Sequence, residues 1–464
     1  MDYTQYLTLS LRYKNPLYQN ITIVDYLPDV FLDESIWIML PSLLAVVNLM
    51  VLQGKLLAQI TLPNIRNSGE YHKILEKILN GYLPSRKDIP MILNASEKEV
   101  SLLLFVAGQL RDQGKGRTVT YSKKVFIPLT NMCRDRCGYC TFVKSPKEKE
   151  SHYLTPDQVL AIAMAGREKG CKEVLFSLGD HPEWKHREAK EWLEYLGYSS
   201  TPEYVMAMSA MVLDETGLLP HTNAGILSRD ELLGLRKTNV SMGIMLENIS
   251  IRLLGRGGPH FGCDSKEPSL RLNVLREAGK LGIAMTTGIL IGIGETSEER
   301  LESLLAIREI HEEYGNIQEV IIQNFRAKTK TRMHAKEEPS TVDMLRTLAI
   351  ARLVLGGSMN IQAPPNLNSD ACQTYILAGI NDWGGVSPIT KDHINPEAPW
   401  PVIEHLRDLT GECGYQLEER LAIYPEFLCD DLSDFSPPLR NALAVKIAEV
   451  GYNVRTGEVC RGQS

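Results

Sequence analysis

From about residue 121 the chain alternates short runs of β-branched and apolar residues with longer segments whose apolar positions recur every three or four. The short runs have the pattern of buried strands and the longer ones that of amphipathic helices. Strands are predicted at 124–129, 173–178, 240–246, 284–291, 319–323 and 359–363. Helices are predicted at 156–169, 228–236, 268–281, 296–313 and 341–355. Thr155-Pro156 and Ser228 suit N-cap and N1 positions, and Thr296 precedes Glu298 and Glu299, whose charge favours a helix N-terminus. Alternation of this kind from 121 to 363 argues for an α/β fold with a parallel sheet, open or closed into a barrel.

The flanking regions read differently. Residues 65–120 are polar and mostly helical, a preface to the repeating units, and 364–464 are loop-rich, a part that completes the barrel or caps its site. Residues 1–64 form an N-terminal extension whose apolar run, 36–52, is broken by Pro41, Ser42 and Asn48. That run is as long as the shortest membrane span, but the interruptions and weak flanking charge favour a packed helical extension over an anchor. No Lys/Arg-rich region leads into it directly, as a signal peptide requires.

Composition narrows the function. With 50 Lys+Arg against 57 Asp+Glu the net charge is −7, and no long basic run is present to neutralise nucleic-acid phosphates. The nine cysteines are unevenly spread, three of them falling within 133–140. Clustered thiols beside scattered single ones, without a secretory leader, point to a reducing cytoplasm and a metal site.

The unusual residues fall where the predicted strands end. The three cysteines follow the first strand, Gly179-Asp180 the second, Glu247 the 240–246 strand, and Gly292 to Glu295 the 284–291 strand. Barrel enzymes collect their chemistry at those ends, whereas a wound nucleotide-binding sheet carries a glycine-rich turn after its first strand. Here that turn carries thiols. The spacing Cys133-x-x-x-Cys137-x-x-Cys140 lets one short loop wrap three thiolates around a compact cluster. A [4Fe-4S] cluster held this way keeps one iron open for a non-protein ligand. Structural zinc needs four closed ligands, commonly as paired knuckles; no second pair is present, and only Cys171 or His152 stands available as a fourth.

The CxxxCxxC motif, with Tyr139 just before its last cysteine, resembles the radical S-adenosylmethionine (SAM) superfamily. That resemblance implies a (β/α) TIM-type partial or full barrel, a [4Fe-4S] cluster on Cys133, Cys137 and Cys140, and SAM chelating the open iron. It further implies that Tyr139, Asp180, Glu247, Gly292 and Glu295 contact SAM, with Asp180 toward the methionine amino group, Glu247 toward the ribose, and the stretch Gly288 to Glu295 lining the adenine pocket. Lys328 or Arg326 is suited by charge to the SAM carboxylate.

Eight phrases in order sharpen the resemblance: VFIPLTNMCRDRCGYCTF, LFSLGDHPE, GLLPHTNAGILS, TTGILIGIGET, EVIIQNFRAK, NIQAPPNL, AGINDWGGVSP and TKDHINPEAPWP. They are similar to the CofG family, the radical SAM subunits of FO synthase, over about residues 120–430. The implied reaction is that of a carbon–nitrogen lyase. It converts 5-amino-5-(4-hydroxybenzyl)-6-(D-ribitylimino)-5,6-dihydrouracil into 7,8-didemethyl-8-hydroxy-5-deazariboflavin (FO), releasing ammonia, methionine and 5′-deoxyadenosine. The implied partners are CofH, which supplies the substrate, and an electron donor such as flavodoxin or ferredoxin. One CxxxCxxC motif marks a single-site subunit. Buried polar groups of such a substrate need fixed donors and acceptors; Gln323, Asn324, Arg326, Asn366, Asn381 and Asp382 are suitable, with turn formation as their competing role. Trp383 is suited to stacking, and His221 and His393 to moving protons during ammonia loss. The alternatives are a radical SAM enzyme for another aromatic adduct, of the menaquinone-pathway type, and a non-catalytic iron–sulfur or zinc-binding protein.

Overall fold

The computed structural model describes residues 69–452 apart from 94–96, 370, 429–431 and 434, so the 1–64 extension and its apolar run lie outside the described residues. Eight parallel strands close into a barrel in chain order. They are β1 (Thr118–Thr130), β2 (Glu173–Leu178), β3 (Leu219–Asn223), β4 (Ser241–Gly243), β5 (Met285–Ile291), β6 (Ile317–Asn324), β7 (Ile361–Gln362) and β8 (Asp382–Val386), with β8 returning to β1. A ninth strand, β9 (Gln416–Glu419), runs parallel to the start of β1. Helices Glu70–Leu79, Ile89–Leu93 and Glu97–Lys115 precede the barrel.

Strand burial explains the closure. Every residue of β5, Met-Thr-Thr-Gly-Ile-Leu-Ile, is buried, as expected for strands covered by side chains inside and helices outside. On β1, Val125 packs outward against Gly166 of the helix Pro156–Glu168, while Lys124 and Phe126 face the interior. Capping boxes start four helices, at Thr155 with Gln158, Ser228 with Glu231, Thr296 with Glu299, and Ser340 with Asp343. The helix Thr341–Leu355 is buried on nearly all faces because Glu97–Lys115 packs against it as well as the barrel. Among the described residues, no helix is long and apolar enough to cross a membrane.

Three strands carry no strand signal in the sequence. β3 reads Leu-Pro-His-Thr-Asn, β8 reads Asp-Trp-Gly-Gly-Val, and β9 is the exposed Gln-Leu-Glu-Glu. Where 240–246 suggested a long strand, β4 stops at Gly243 because the chain turns toward Glu247, whose φ of 64° is left-handed. β8 places the barrel's closure beyond residue 363. The segment Arg420 to Tyr424 then passes beneath the strand starts, where Ala422 O accepts from Ser241 Oγ at 2.5 Å and from Gln318 Nε2 at 3.1 Å.

Candidate active site

Cys133, Cys137 and Cys140 line one cavity of about 270 Å3 at the C-terminal mouth of the barrel. Their loop follows β1 directly and is tied down from outside: Gly138 N–H donates to Pro259 O at 2.6 Å, Met333 N–H to Gly138 O at 3.1 Å, and Ser265 Oγ to the Asp135 carboxylate. The Cys133 sulfur accepts the backbone N–H groups of Asp135 at 3.3 Å and Asp180 at 3.2 Å, an arrangement suited to a thiolate. Without a metal, burial pushes the Cys133 thiol up to about 12 and raises Cys140, while a hydrogen bond with Cys263 lowers Cys137. The seven described cysteines are free thiols. Among the described residues, no three His, Cys, Asp or Glu side chains gather tightly enough for a single metal ion. A tetrahedral zinc site would bring sulfurs to about 3.8 Å from one another, given Zn–S bonds of about 2.3 Å. Three thiols that line one cavity without such a tight grouping suit a larger cluster.

Tyr139 is half-buried beside the cysteines, its hydroxyl 3.0 Å from His260 Nε2. Asp180 lines the cavity but its carboxylate is already engaged: Oδ1 by His181 Nδ1 at 2.9 Å and Arg134 at 2.7 Å, and Oδ2 by the Ile226 N–H at 2.7 Å. It fixes the turn after β2 through these contacts. Glu247 reaches the cavity with Lys266 at 2.5 Å, and against the penalty of burial Lys266 and Arg271 hold its carboxyl below the usual range. A left-handed φ on a non-glycine costs about 1–2 kcal/mol. Here it is held by Glu247 N–H to Gly288 O and Leu290 N–H to Glu247 O, both 3.0 Å. Residues held in such conformations cluster at functional sites.

Arg271 and Lys266, which the sequence reading passed over, bring two cations to this cavity, Arg271 buried and Lys266 half-buried. Arg271 donates from Nε to Met245 O at 2.7 Å and from Nη1 to Ser265 O at 3.0 Å. They stand on a loop and the helix behind it, remote in sequence from the cysteines; the signal was only that both follow the turn after Glu247. Lys328 and Arg326 also line the cavity, yet Lys328 donates to Ile394 O and Asn395 Oδ1, both at 2.7 Å, and Arg326 to Leu367 O at 3.0 Å. They tie loops together.

A second cavity, about 300 Å3, lies deeper in the barrel and shares Asn223, Met245, Gln323 and Asn395 with the first. Gln323 therefore faces both, and Asn324 faces the upper one with its Oδ1 unpartnered. His221 and His393 face the lower one. His221 has both ring nitrogens occupied, by Ser241 Oγ at 2.7 Å and Asn223 Oδ1 at 3.2 Å, and burial lowers it to about 4, so it stays neutral. His393 Nε2 is buried without a partner. Trp383 is fully buried, donating to Thr410 Oγ1 at 3.1 Å, with one side on the lower cavity.

Five expected contacts lie outside both cavities. Glu295 folds back onto its own loop, accepting N–H groups from Gly292, Ile293 and Gly294 and the Arg300 guanidinium, so it and Gly292 shape the turn rather than line the cavity. Asn366 donates to Asp392 and Ala398 O, bracing two loops. Asn381 Oδ1 accepts from Arg352 and the Ile361 N–H. Asp382 is fully buried under Arg420, which it accepts at 2.6 and 3.0 Å, and under Thr120 and the Gly384 N–H. Turn and strand-end polar residues satisfied the backbone here, the competing role that composition could not separate.

The profile of the Radical SAM superfamily matches residues 127–307, the stretch from β1 through most of the helix after β5. A 7,8-didemethyl-8-hydroxy-5-deazariboflavin synthase of Methanopyrus kandleri is 53% identical over 310 residues, covering 67% of this chain and 92% of that protein. An FO synthase of Mycobacterium tuberculosis is 45% identical over 394 residues, covering 82% of this chain and 46% of that protein; the chain thus spans just under half of its length. Among solved structures, the FeFe-hydrogenase maturase HydG from Carboxydothermus hydrogenoformans superposes with a TM-score of 0.61 at 17% identity, covering 83% of this chain and 85% of that one, which shows the barrel alone. The mouth of the barrel, with its three thiols, and the profile match define a radical SAM protein. Within that superfamily, the chain belongs to the 7,8-didemethyl-8-hydroxy-5-deazariboflavin synthase family.

Proposed function

We propose that this chain is the lyase that converts 5-amino-5-(4-hydroxybenzyl)-6-(D-ribitylimino)-5,6-dihydrouracil into FO with release of ammonia. The observation that carries this reading is the shared wall of two cavities: one lined by three cysteines, the other deeper in the barrel and lined by charged, amide and aromatic side chains. Cys133, Cys137 and Cys140 would hold a [4Fe-4S] cluster, and Arg271, Lys266 and Glu247 would bind SAM, the cations facing its carboxylate and Glu247 its ribose hydroxyls. Bound there, cluster and SAM supply a 5′-deoxyadenosyl radical.

The chain's own residues then have three tasks. Leu290 and Phe325, which line the upper cavity and are backed by Leu253 and Ile293, keep water from the reacting atoms. Asn223, Gln323 and Asn324 offer amide donors and acceptors to the uracil-like ring. His393 Nε2, the buried ring nitrogen without a partner, takes up a proton as the amine leaves; His221, held neutral by burial, orients Asn223. CofH supplies the adduct, and a small reduced flavin or iron–sulfur protein supplies the electron.

Anaerobic incubation of the reconstituted chain with adduct, SAM and reductant tests this reading. FO fluorescence is expected. Turnover of a menaquinone-type aromatic with no FO from the adduct would overturn it.

A further inference from the structure

Barrel interiors of this kind are normally filled by branched apolar side chains. The floor of the lower cavity is different. Lys124 and Glu173 pair at 2.5 Å across β1 and β2, and Glu319 on β6 accepts Arg420 at 2.6 Å and Tyr424 at 3.0 Å. All four ionisable groups are more than nine-tenths buried. Burying charges is costly even when they are paired, and the paired carboxylates and ammonium retain lone pairs and protons for further hydrogen bonds. Burial also raises Glu319 to about 7.

A second observation points to a ligand. Gln362 on β7 is 8% exposed and faces the same cavity, and its side-chain amide makes no hydrogen bond among the described residues. An amide that opens onto the cavity without a protein partner is free to donate to and accept from a polar group placed there. Higher in the cavity the chemistry changes: the rings of Phe126 and Trp400 stack 5.0 Å apart.

Resting on the deazaflavin reading above, we infer that the floor formed by Lys124, Glu173, Glu319 and Gln362 is the subsite for the ribityl chain of the substrate. The atoms that change bonding must face the cysteine mouth, which leaves the non-reacting polyol to point down the barrel. Each of its hydroxyls is donor and acceptor at once, matching a surface where carboxylate oxygens, an ammonium and an amide alternate. The uracil-like ring pairs with the neutral amides above, and the hydroxybenzyl group lies against Phe126 and Trp400.

The test compares the natural adduct with an analogue bearing methyl in place of ribityl. In the wild type the analogue is still converted to a deazaflavin, but its KM is at least about tenfold higher, since each lost hydrogen bond to a charged group is worth about a factor of ten or more. Gln362→Ala, which removes no charge and leaves the ion pairs intact, narrows that ratio by raising the KM of the natural adduct alone; Glu173→Gln does the same where it folds. Equal KM values for adduct and analogue in the wild type, or an undiminished ratio in Gln362→Ala, would overturn the subsite. Absence of any deazaflavin from the natural adduct in the wild type would instead overturn the reading on which it rests.

Discussion

The backbone N–H of Asp180 lies 3.2 Å from Cys133 Sγ, so the turn after β2 and the thiol after β1 meet at one point. That meeting depends on the residue between them and the strand. A Cβ on residue 179 would stand 1.9 Å from Met132 O and 2.7 Å from Cys133 Cβ, and neither belongs to a flexible side-chain end. Gly179→Ala is therefore expected to push the turn away from the cysteine loop, destabilising the protein by about 1–3 kcal/mol. Iron bound per chain after anaerobic reconstitution should fall well below the wild-type value. Full iron loading with an unchanged melting temperature would show that the turn does not support the loop.

Glu247 is the carboxylate assigned to SAM, held by Lys266 at the end of a strained turn. Glu247→Gln keeps the shape and removes the charge. The KM for SAM in the substrate-free cleavage assay is expected to rise about tenfold, the worth of one charge-assisted hydrogen bond. An unchanged KM would move the ribose contact elsewhere.

Much of this site was legible before the fold was known, and the division follows physical lines. The cysteine spacing was readable from the residues themselves, Tyr139 and Glu247 through the resemblance it carries, and Gln323 from its amide chemistry; the structure places all of them along the mouth cavity. Arg271 and Lys266 were not, because cations in a loop and on a helix read as solvated surface until tertiary packing turns them to the cavity. β3 and β8 were hidden because Pro220 and the pair Gly384-Gly385 have low strand propensity, overridden by pairing on both sides. The charged floor was invisible for the same reason: Lys124, Glu173 and Glu319 in strands suggest an outward face, and only closure of the barrel turns them inward.

Arg420 shows how much that floor costs to disturb. It pairs with Asp382 and Glu319, both at 2.6 Å, with all three side chains buried. Arg420→Met leaves two buried carboxyls without their counter-charge and is expected to destabilise the protein by about 3–5 kcal/mol in urea unfolding. A loss below about 1 kcal/mol, the range of exposed pairs, would contradict the burial of this network.

His221 supplies the pH dependence. Its ordinary value is 6.5 and burial lowers it to about 4 in the folded chain. Between those values the unfolded chain binds more protons, so stability rises with pH through the window and is lost as pH falls from 6.5 toward 4. The full contribution is on the order of 3 kcal/mol. His221→Gln should flatten the difference in unfolding free energy between pH 7 and pH 5 relative to the wild type. An identical slope in both proteins would mean that His221 is not held neutral by the fold.

The most direct measurement is the ratio of products in a single anaerobic reaction containing the reconstituted chain, SAM, reductant and the dihydrouracil adduct, resolved by liquid chromatography and mass spectrometry. FO and 5′-deoxyadenosine are expected in equal amounts, with neither formed by Cys133→Ala, Cys137→Ala or Cys140→Ala. 5′-Deoxyadenosine without FO, or FO from any of the three cysteine variants, would contradict the assignment of this barrel to deazaflavin synthesis through a three-cysteine cluster.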